Sequence, residues 1–476
     1  MKKIPTPKDV LLILIVFLVS RTLLGLFGVH LDYLALYRNW QYLDVETLRN
    51  SLLKGVWYDH TQPPIFNLLL GTVLKLTGNQ AELVFITLLK AITLANTFLL
   101  LTIGKRLLPR NPWHLPLLVS LFYLLSPATM LFENELFYTS FISLLLLISC
   151  LNLLSLSSSI NWKNTTGFVL PLFLVAMTRS LYHLAWLILV SAITIYLLRK
   201  KSHIRTLVTG SLLAILLTGG WYLHNLVLFG SFSSSTWMGM NLARNVFHDA
   251  VFKDSTDIAA IEPFSRISVY HAFLTPGDTL RYGAMGTIDL HEEFKNDSFI
   301  NEKELAYIAI SHRYMESCKR EIREHPMAYA KNVLQSAIIF FAPATRYSVT
   351  EYEARRIMYY DLLYSFNLSH LAKGKQQRRI ALTLSAVPKL IIWFLVLAWW
   401  SRQLWRTRRL TPLTAFLFLV TGFVFCVSSF FEHYENMRFR YEIEPLFLLL
   451  AIQALAGWLA SRKTARSAQD IRTPAA

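Results

Sequence analysis

Long apolar runs alternate with short polar stretches along most of this chain. A helix of roughly 20 residues covers the ~30 Å of a bilayer's hydrocarbon core. Runs that qualify as crossings fall at 10–27, 82–103, 115–132, 136–156, 165–182, 184–198, 207–229, 381–400, 412–431 and 443–460. Basic residues gather between them at Lys105–Arg106 with Arg110, at Arg199–Lys201 with Arg205, through Arg402–Arg409, and at Arg462–Lys463 with Arg466. Each cluster is separated from the next by an even number of runs. Ten crossings with both termini in the cytoplasm therefore satisfy the positive-inside bias. The N-terminus, MKKIPTPK followed by an apolar run, is built like a signal peptide but has no small-x-small cleavage site before Asp32, so it is expected to remain as the first span.

That parity leaves two apolar stretches without a crossing. In 63–78, Asn67, Gly71 and Lys75 recur every four residues and mark one helical face. In 327–342, Lys331, Asn332, Gln335 and Ser336 do the same. Both are expected to be juxtamembrane helices lying in the outer interface, with the polar stripe toward water. Two short helices are expected in the first outer loop, 28–64. Asp44 caps the second, Val45, Leu48, Leu52 and Leu53 form its apolar face, and Gly55 stops it.

The expected fold class is an all-α integral membrane protein, with about ten transmembrane helices, outer juxtamembrane helices and one long outer loop. Three modules follow: 1–229 with seven spans and the outer loop 28–81; the loop 230–380 containing the juxtamembrane helix 327–342; and 381–476 with three spans and a basic tail. Near Arg266–Asn301 the long loop carries turn formers, Thr275-Pro276-Gly277-Asp278, and no strong periodicity, as a small subdomain or a mobile segment would.

Composition agrees with this class. Of 476 residues 54% are apolar and 16% charged, and mean hydropathy is +0.40, beyond the range of ordinary soluble domains. The net charge of +17 suggests nucleic acid at first sight. The basic residues sit in clusters between spans and form no stripe, so no nucleic-acid partner is expected. Three cysteines, Cys150, Cys318 and Cys426, build neither a disulfide framework nor a zinc site.

The chemistry-bearing residues gather at span ends on one side: Asp32, Asp59, His60, Glu133, Glu135, Arg179, His183, Glu432, Arg438, Arg440 and Glu442. Ionisable groups at membrane depth are costly and face a cavity or a partner. A collar of salt bridges around wet helix ends is one reading and an active site is another. Asp32 can cap a helix or pair with Arg38, and Glu135 can pair with Arg179. The histidines of the long loop (His248, His271, His291, His312 and His325) show no metal-ligand spacing.

In order along the chain stand HLDYLALY after the first span, DHTQPPIFNLL opening a juxtamembrane helix, FENELFYT, MTRSLYHLAW, WYLHNLVLFGSF before the long loop, and RFRYEIEPL before the last span. In this ordered set the chain resembles the polytopic GT-C glycosyltransferases, in the branch of protein O-mannosyltransferases and lipid A aminoarabinose transferases. The resemblance implies a polyprenyl-phosphate sugar as donor and transfer with inversion to an acceptor hydroxyl on a glycan, lipid or protein. It implies Asp32 as general base and Glu135 (with Glu133 as the alternative for that second-turn acid), His60, Arg179, Arg438 and Arg440 as substrate-binding residues. The family's second acid beside the first is absent, since Tyr33 follows Asp32, and the basic residue before the proline pair is replaced by His60-Thr61-Gln62. No cofactor or metal is expected. A divalent ion at Asp32 and Glu135, as in the oligosaccharyltransferase branch, would be the alternative, and no Asp-x-Asp signature accompanies it. The expected location is the bacterial cytoplasmic membrane with the site facing outward. The competing classes are a transporter or lipid flippase, which favours paired repeats and midplane charges, and a scaffold. The sequons Asn296-Asp297-Ser298 and Asn367-Leu368-Ser369 do not decide the compartment.

Overall fold

The computed structural model describes residues 5–108, 114–247, 292, 294–296 and 299–470, with the backbone alone for Lys375 and 462–470. Arg110, Thr275–Asp278, His248, His271, His291 and the Asp297–Ser298 part of the first sequon lie outside the described residues, and the side chains of Arg462, Lys463 and Arg466 are not described. Among the described residues there is no strand. Two isolated bridges join Asp32 to Glu135 and Phe294 to Ile300.

The architecture is a helical bundle. Among the described residues seven stretches are long and apolar enough to cross a membrane. They are α1 (Pro7–Leu26), α5 (Ile65–Thr77) running on through a 3₁₀ turn into α6 (Ala81–Leu107), α9 (Thr139–Leu156), α12 (Ile204–Phe229), α18 (Lys375–Thr407), α19 (Pro412–Phe431) and α21 (Glu444–Asp470). The three other expected spans form shorter helices. The run 115–132 breaks at Pro127 into α7 (Leu115–Leu125) and α8 (Pro127–Phe132). The run 165–182 becomes α10 (Trp162–Ala176), which contains Pro171, and 184–198 is α11 (Leu184–Leu198). At 1.5 Å per residue these cover only ~16–22 Å. Apolar length alone does not show where a proline-bearing run will stop.

Helix ends sort into two sets. The ends of α11, α18 and α6, and the starts of α12 and α19, carry the basic clusters. The opposite ends carry the loops 28–64, 133–138, 177–183 and 432–443, which we call the site end. The first loop there holds α2 (Ala35–Arg38), α3 (Val45–Asn50) and α4 (Leu52–Trp57). Asp44 caps α3, accepting from the Glu46 amide at 2.8 Å. Gly55 is not a stop but lies inside α4, where it makes room for Thr47 and Leu43. Leu53 points outward.

The polar stripe of α5 is a second correction. Asn67 and Gly71 face inward with Phe66, Leu70 and Leu74, while Lys75 is exposed. Gly71 lets the Leu52 side chain seat directly on the helix, and the Asn67 amide is used in a buried network described below. The helix α15 (Pro326–Phe340) repeats the theme: Asn332 and Ser336 are buried and Lys331 is exposed. Asn332 donates to the carbonyls of Asn245 and Val246 at 3.0 and 3.1 Å. In both helices the buried polar residues serve docking, while the lysine of each stripe is exposed.

The described part of the long loop is a compact unit. α13 (Met238–Val246) packs on α14 (Ala306–Glu324) around Trp237, Met240, Tyr307, Tyr314 and Cys318. Gly239 permits the close approach, because a Cβ there would collide with the Ser311 carbonyl. Between α15 and α18 lie α16 (Ser348–Arg356) and α17 (Met358–Ser365). A last short helix, α20 (Asn436–Glu442), precedes α21.

Candidate functional site

The first cluster is an acid pair. Chain leaves α1 through Gly28, whose φ of +79° suits glycine, and reaches Asp32. The Asp32 amide donates to the Asn134 carbonyl at 3.0 Å, which stitches the two acid-bearing turns together. The Asp32 carboxylate is ion-paired with Arg38 at the end of α2, and both remain partly exposed. Glu135 is buried, and its Oε2 has no hydrogen-bond partner. Burial, followed by the neighbouring charge of Asp32, pushes its carboxyl up to about 9. At neutral pH it is held protonated, as expected when a carboxyl is desolvated beside a like charge.

Glu133, two residues earlier, is in the opposite situation. Arg21 of α1 grips it with two hydrogen bonds of 2.7 and 2.8 Å, and both side chains are buried. Of the two acids in this turn, Glu133 is fully engaged and Glu135 is free to meet another group.

The second cluster is an arginine cavity of about 330 Å³ at the same end. Its walls include Arg179, Arg244, Arg438, Glu432, Glu435 and Tyr138, drawn from four separate segments. Arg438 pairs with Glu435, and its guanidinium lies 4.4 Å from the Phe137 ring centre and 5.0 Å from that of Tyr347. Arg179 pairs with Glu442 and lies 3.7 Å from the Phe439 ring centre. The expected Arg179–Glu135 pair does not form. Arg244 sits 3.4 Å from both Glu432 and Glu435. Burial, then the nearby Arg438, lowers Arg179 to about 10. Burial works against the charge of Arg438, and Glu435 outweighs it, so that arginine is held above its ordinary value. Burial raises the Glu432 carboxyl toward its neutral form even against the pull of Arg244.

The two clusters flank one short segment. Glu135 begins it, and the Phe137 amide donates to the Glu135 carbonyl at 2.7 Å. The Phe137 ring lies under Arg438, and Tyr138 lines the cavity. Asp32 and Glu135 themselves are outside the cavity wall.

Two expected substrate ligands are placed elsewhere. The His60 ring is buried. Its Nδ1 is 2.7 Å from the Thr236 hydroxyl and its Nε2 is 2.9 Å from the Lys303 carbonyl. A carbonyl can only accept, so Nε2 carries the proton and Nδ1 accepts from Thr236. Burial lowers this histidine to about 4, so it is a neutral clamp with no nitrogen left for phosphate. Arg440 pairs with Glu444 and does not line the cavity. In α20, positions two apart point to opposite faces, so Arg438 turns toward the cavity and Arg440 away from it.

Lys303 and Arg244 went unread in the sequence. Lys303 is buried, with its Nζ 3.3 Å from both carboxylate oxygens of Asp59 and 3.2 Å from the Gln41 carbonyl. Asp59 also accepts from Asn67 at 3.0 Å and from the Thr61 amide and hydroxyl at 2.9 and 2.7 Å. This knot, with Lys295 donating to the carbonyls of Tyr37 and Asn39, ties the long loop's return to the first loop. Among the described residues no group of three His, Cys, Asp or Glu is arranged to hold a metal ion.

The class this defines is an all-α membrane protein whose charged residues converge at one end of the bundle. No family model and no curated protein matches the chain. Among solved structures it is similar to ArnT from Cupriavidus metallidurans in the apo state, at 13% identity and a TM-score of 0.33, over 93% of this chain and 77% of that one.

Proposed function

We propose that this chain is a GT-C type glycosyltransferase that moves a sugar from a polyprenyl-phosphate donor to an acceptor hydroxyl, with inversion and with Asp32 as general base. The observation that carries the reading is the placement of the Asp32–Glu135 pair and the Arg179–Arg244–Arg438 cavity on either side of residues 135–138. A sugar phosphate brings its own leaving group, so the reaction needs one base and a cationic resting place for the departing phosphate, not the two carboxylates of a glycosidase. Asp32, held in its pair with Arg38, accepts the acceptor's proton as the new carbon–oxygen bond forms. Glu135 stands beside it, its carboxyl pushed up to about 9 by burial and by the neighbouring Asp32.

The donor's phosphate would sit in the arginine cavity, where charge-assisted hydrogen bonds from guanidinium groups suit its oxygens. Each arginine already faces a carboxylate, and burial disfavours the charged form of Glu432, one of the two that face Arg244. Basic clusters lie at the opposite helix ends, and this supports a site facing outward from the cytoplasm.

Replacing Asp32 with Asn keeps the shape and removes the base. Sugar transfer from a polyprenyl-phosphate donor by the purified variant should fall by about 10²–10⁴-fold, with unchanged unfolding temperature. Undiminished transfer would remove Asp32 from the reaction. Mass analysis of envelope glycans and lipids in a deletion strain identifies the acceptor.

A further inference from the structure

A second cavity, of about 250 Å³, lies between α16, the loop 366–372 and the first turn of α18. By volume it holds about eight waters at ~30 Å³ each. Its wall is cationic: Arg346, Arg355 and Arg378 line it together with His370, and Glu351 is the one acid among the lining residues. Glu351 is partly engaged already, 3.7 Å from Arg355 across one helical turn. The Arg346 Nε is buried without a hydrogen-bond partner.

The floor is built rather than incidental. Asp361, fully buried, accepts from Thr345 and Asn367 at 2.7 Å each, and His370 Nε2 stands 2.8 Å from it. Burial opposes its charge, but these hydrogen bonds outweigh burial and keep the carboxyl below its ordinary value. The Asn367 side chain then accepts from the Ser369 amide at 3.3 Å, and the Leu368 amide donates to Ser385 of α18 at 3.0 Å. A rigid loop thus presents Asn367, Ser369 and His370 to the space beneath the arginines. The Asn367 sequon is therefore closed, since that side chain is 1% exposed and spent on the floor. The α18 helix begins at this rim, and its first turn adds the partial positive charge of a helix N-terminus.

We propose that this cavity binds a phosphoryl group at the membrane surface, either a lipid phosphate headgroup or free phosphate. The guanidiniums of Arg346, Arg355 and Arg378, converging beside one compensated acid, are the donor set such a group takes. The apolar part of α18 starts immediately below, at Ile380, so the cavity opens where a headgroup would stand. The proposal does not depend on the transferase reading, because none of its residues belongs to the acid pair or the arginine cavity.

The test is calorimetric titration of the full-length protein in detergent with inorganic phosphate, dioctanoyl phosphatidic acid and, as the neutral control, dioctanoylglycerol. Saturable binding of phosphate and phosphatidic acid, weakened at least tenfold in Arg346→Gln/Arg378→Gln, is expected and assigns the phosphoryl group alone. Binding of phosphatidic acid only, with the same loss, supports the site and names a lipid as its source. Arg378 is exposed, so Arg378→Gln alone provides a folded variant in which a smaller loss must still appear. Equal binding of the neutral lipid, no binding, or a loss seen in Arg438→Gln and not in Arg346→Gln/Arg378→Gln overturns the proposal.

Discussion

The acid pair and the arginine cavity sit on opposite flanks of the same turn and are assembled by opposite rules. In the cavity every described arginine faces a carboxylate: Arg438 has Glu435, Arg179 has Glu442, and Arg244 has Glu432 and Glu435. In the acid pair, one carboxylate has a half-exposed arginine and the other keeps a buried Oε2 with no hydrogen-bond partner. Buried charges left in balance hold a shape, whereas an unpartnered group in a protein interior is a standing cost that some use must offset. The glutamates of one turn put the contrast within two residues, Glu133 being fixed and Glu135 open.

The sharpest way to break this comparison is Glu133→Gln. It strands Arg21 in the interior and should destabilise the protein by about 3–5 kcal/mol, read as a large drop in the unfolding temperature. A loss under about 1 kcal/mol would show that Arg21 finds water instead. Next comes Arg438→Gln, which should lower kcat for sugar transfer by about 10²–10³-fold, the scale of losing one charge-stabilising donor, with KM less affected. An unchanged kcat would remove the cavity from the reaction.

Glu135→Gln sharpens the comparison through pH. In the folded protein this carboxyl titrates near 9, against 4.5 ordinarily. The folded state therefore binds more protons between those values, and stability falls as pH rises from about 4.5 to 9. The variant should flatten that part of the profile of unfolding temperature against pH. An unaltered slope would place the titration elsewhere. The smallest effect belongs to Arg38→Gln. A partly exposed pair is worth at most ~1 kcal/mol, so the unfolding temperature should barely move, while kcat for transfer falls modestly as Asp32 loses the partner that holds it in place.

Much of this was legible in the apolar pattern, and the exceptions have physical causes. The span ends placed Asp32 and Glu135 on one side without saying that they touch, and in the fold a backbone bridge joins them. The stripes on α5 and α15 were visible, but their direction was not. Periodicity marks a face without saying whether water or another helix covers it, and Asn67 and Asn332 prove to be docking residues. His60 looked like a ligand because it precedes two prolines, yet its partners, Thr236 and Lys303, lie 176 and 243 residues away. Lys303 itself sits in a stretch with no periodicity, so only the folded chain reveals its role. Arg438 and Arg440 were equivalent in sequence, and a helix of seven residues separates them.

The grip of Arg21 on Glu133 reaches beyond stability. Arg21 stands five residues from the end of the first span, and the turn it holds is the one that carries Glu135. The span cannot slide along the membrane normal without pulling that turn with it. A bilayer that shifted this span along its normal would, through that one ion pair, also shift the turn that carries Glu135.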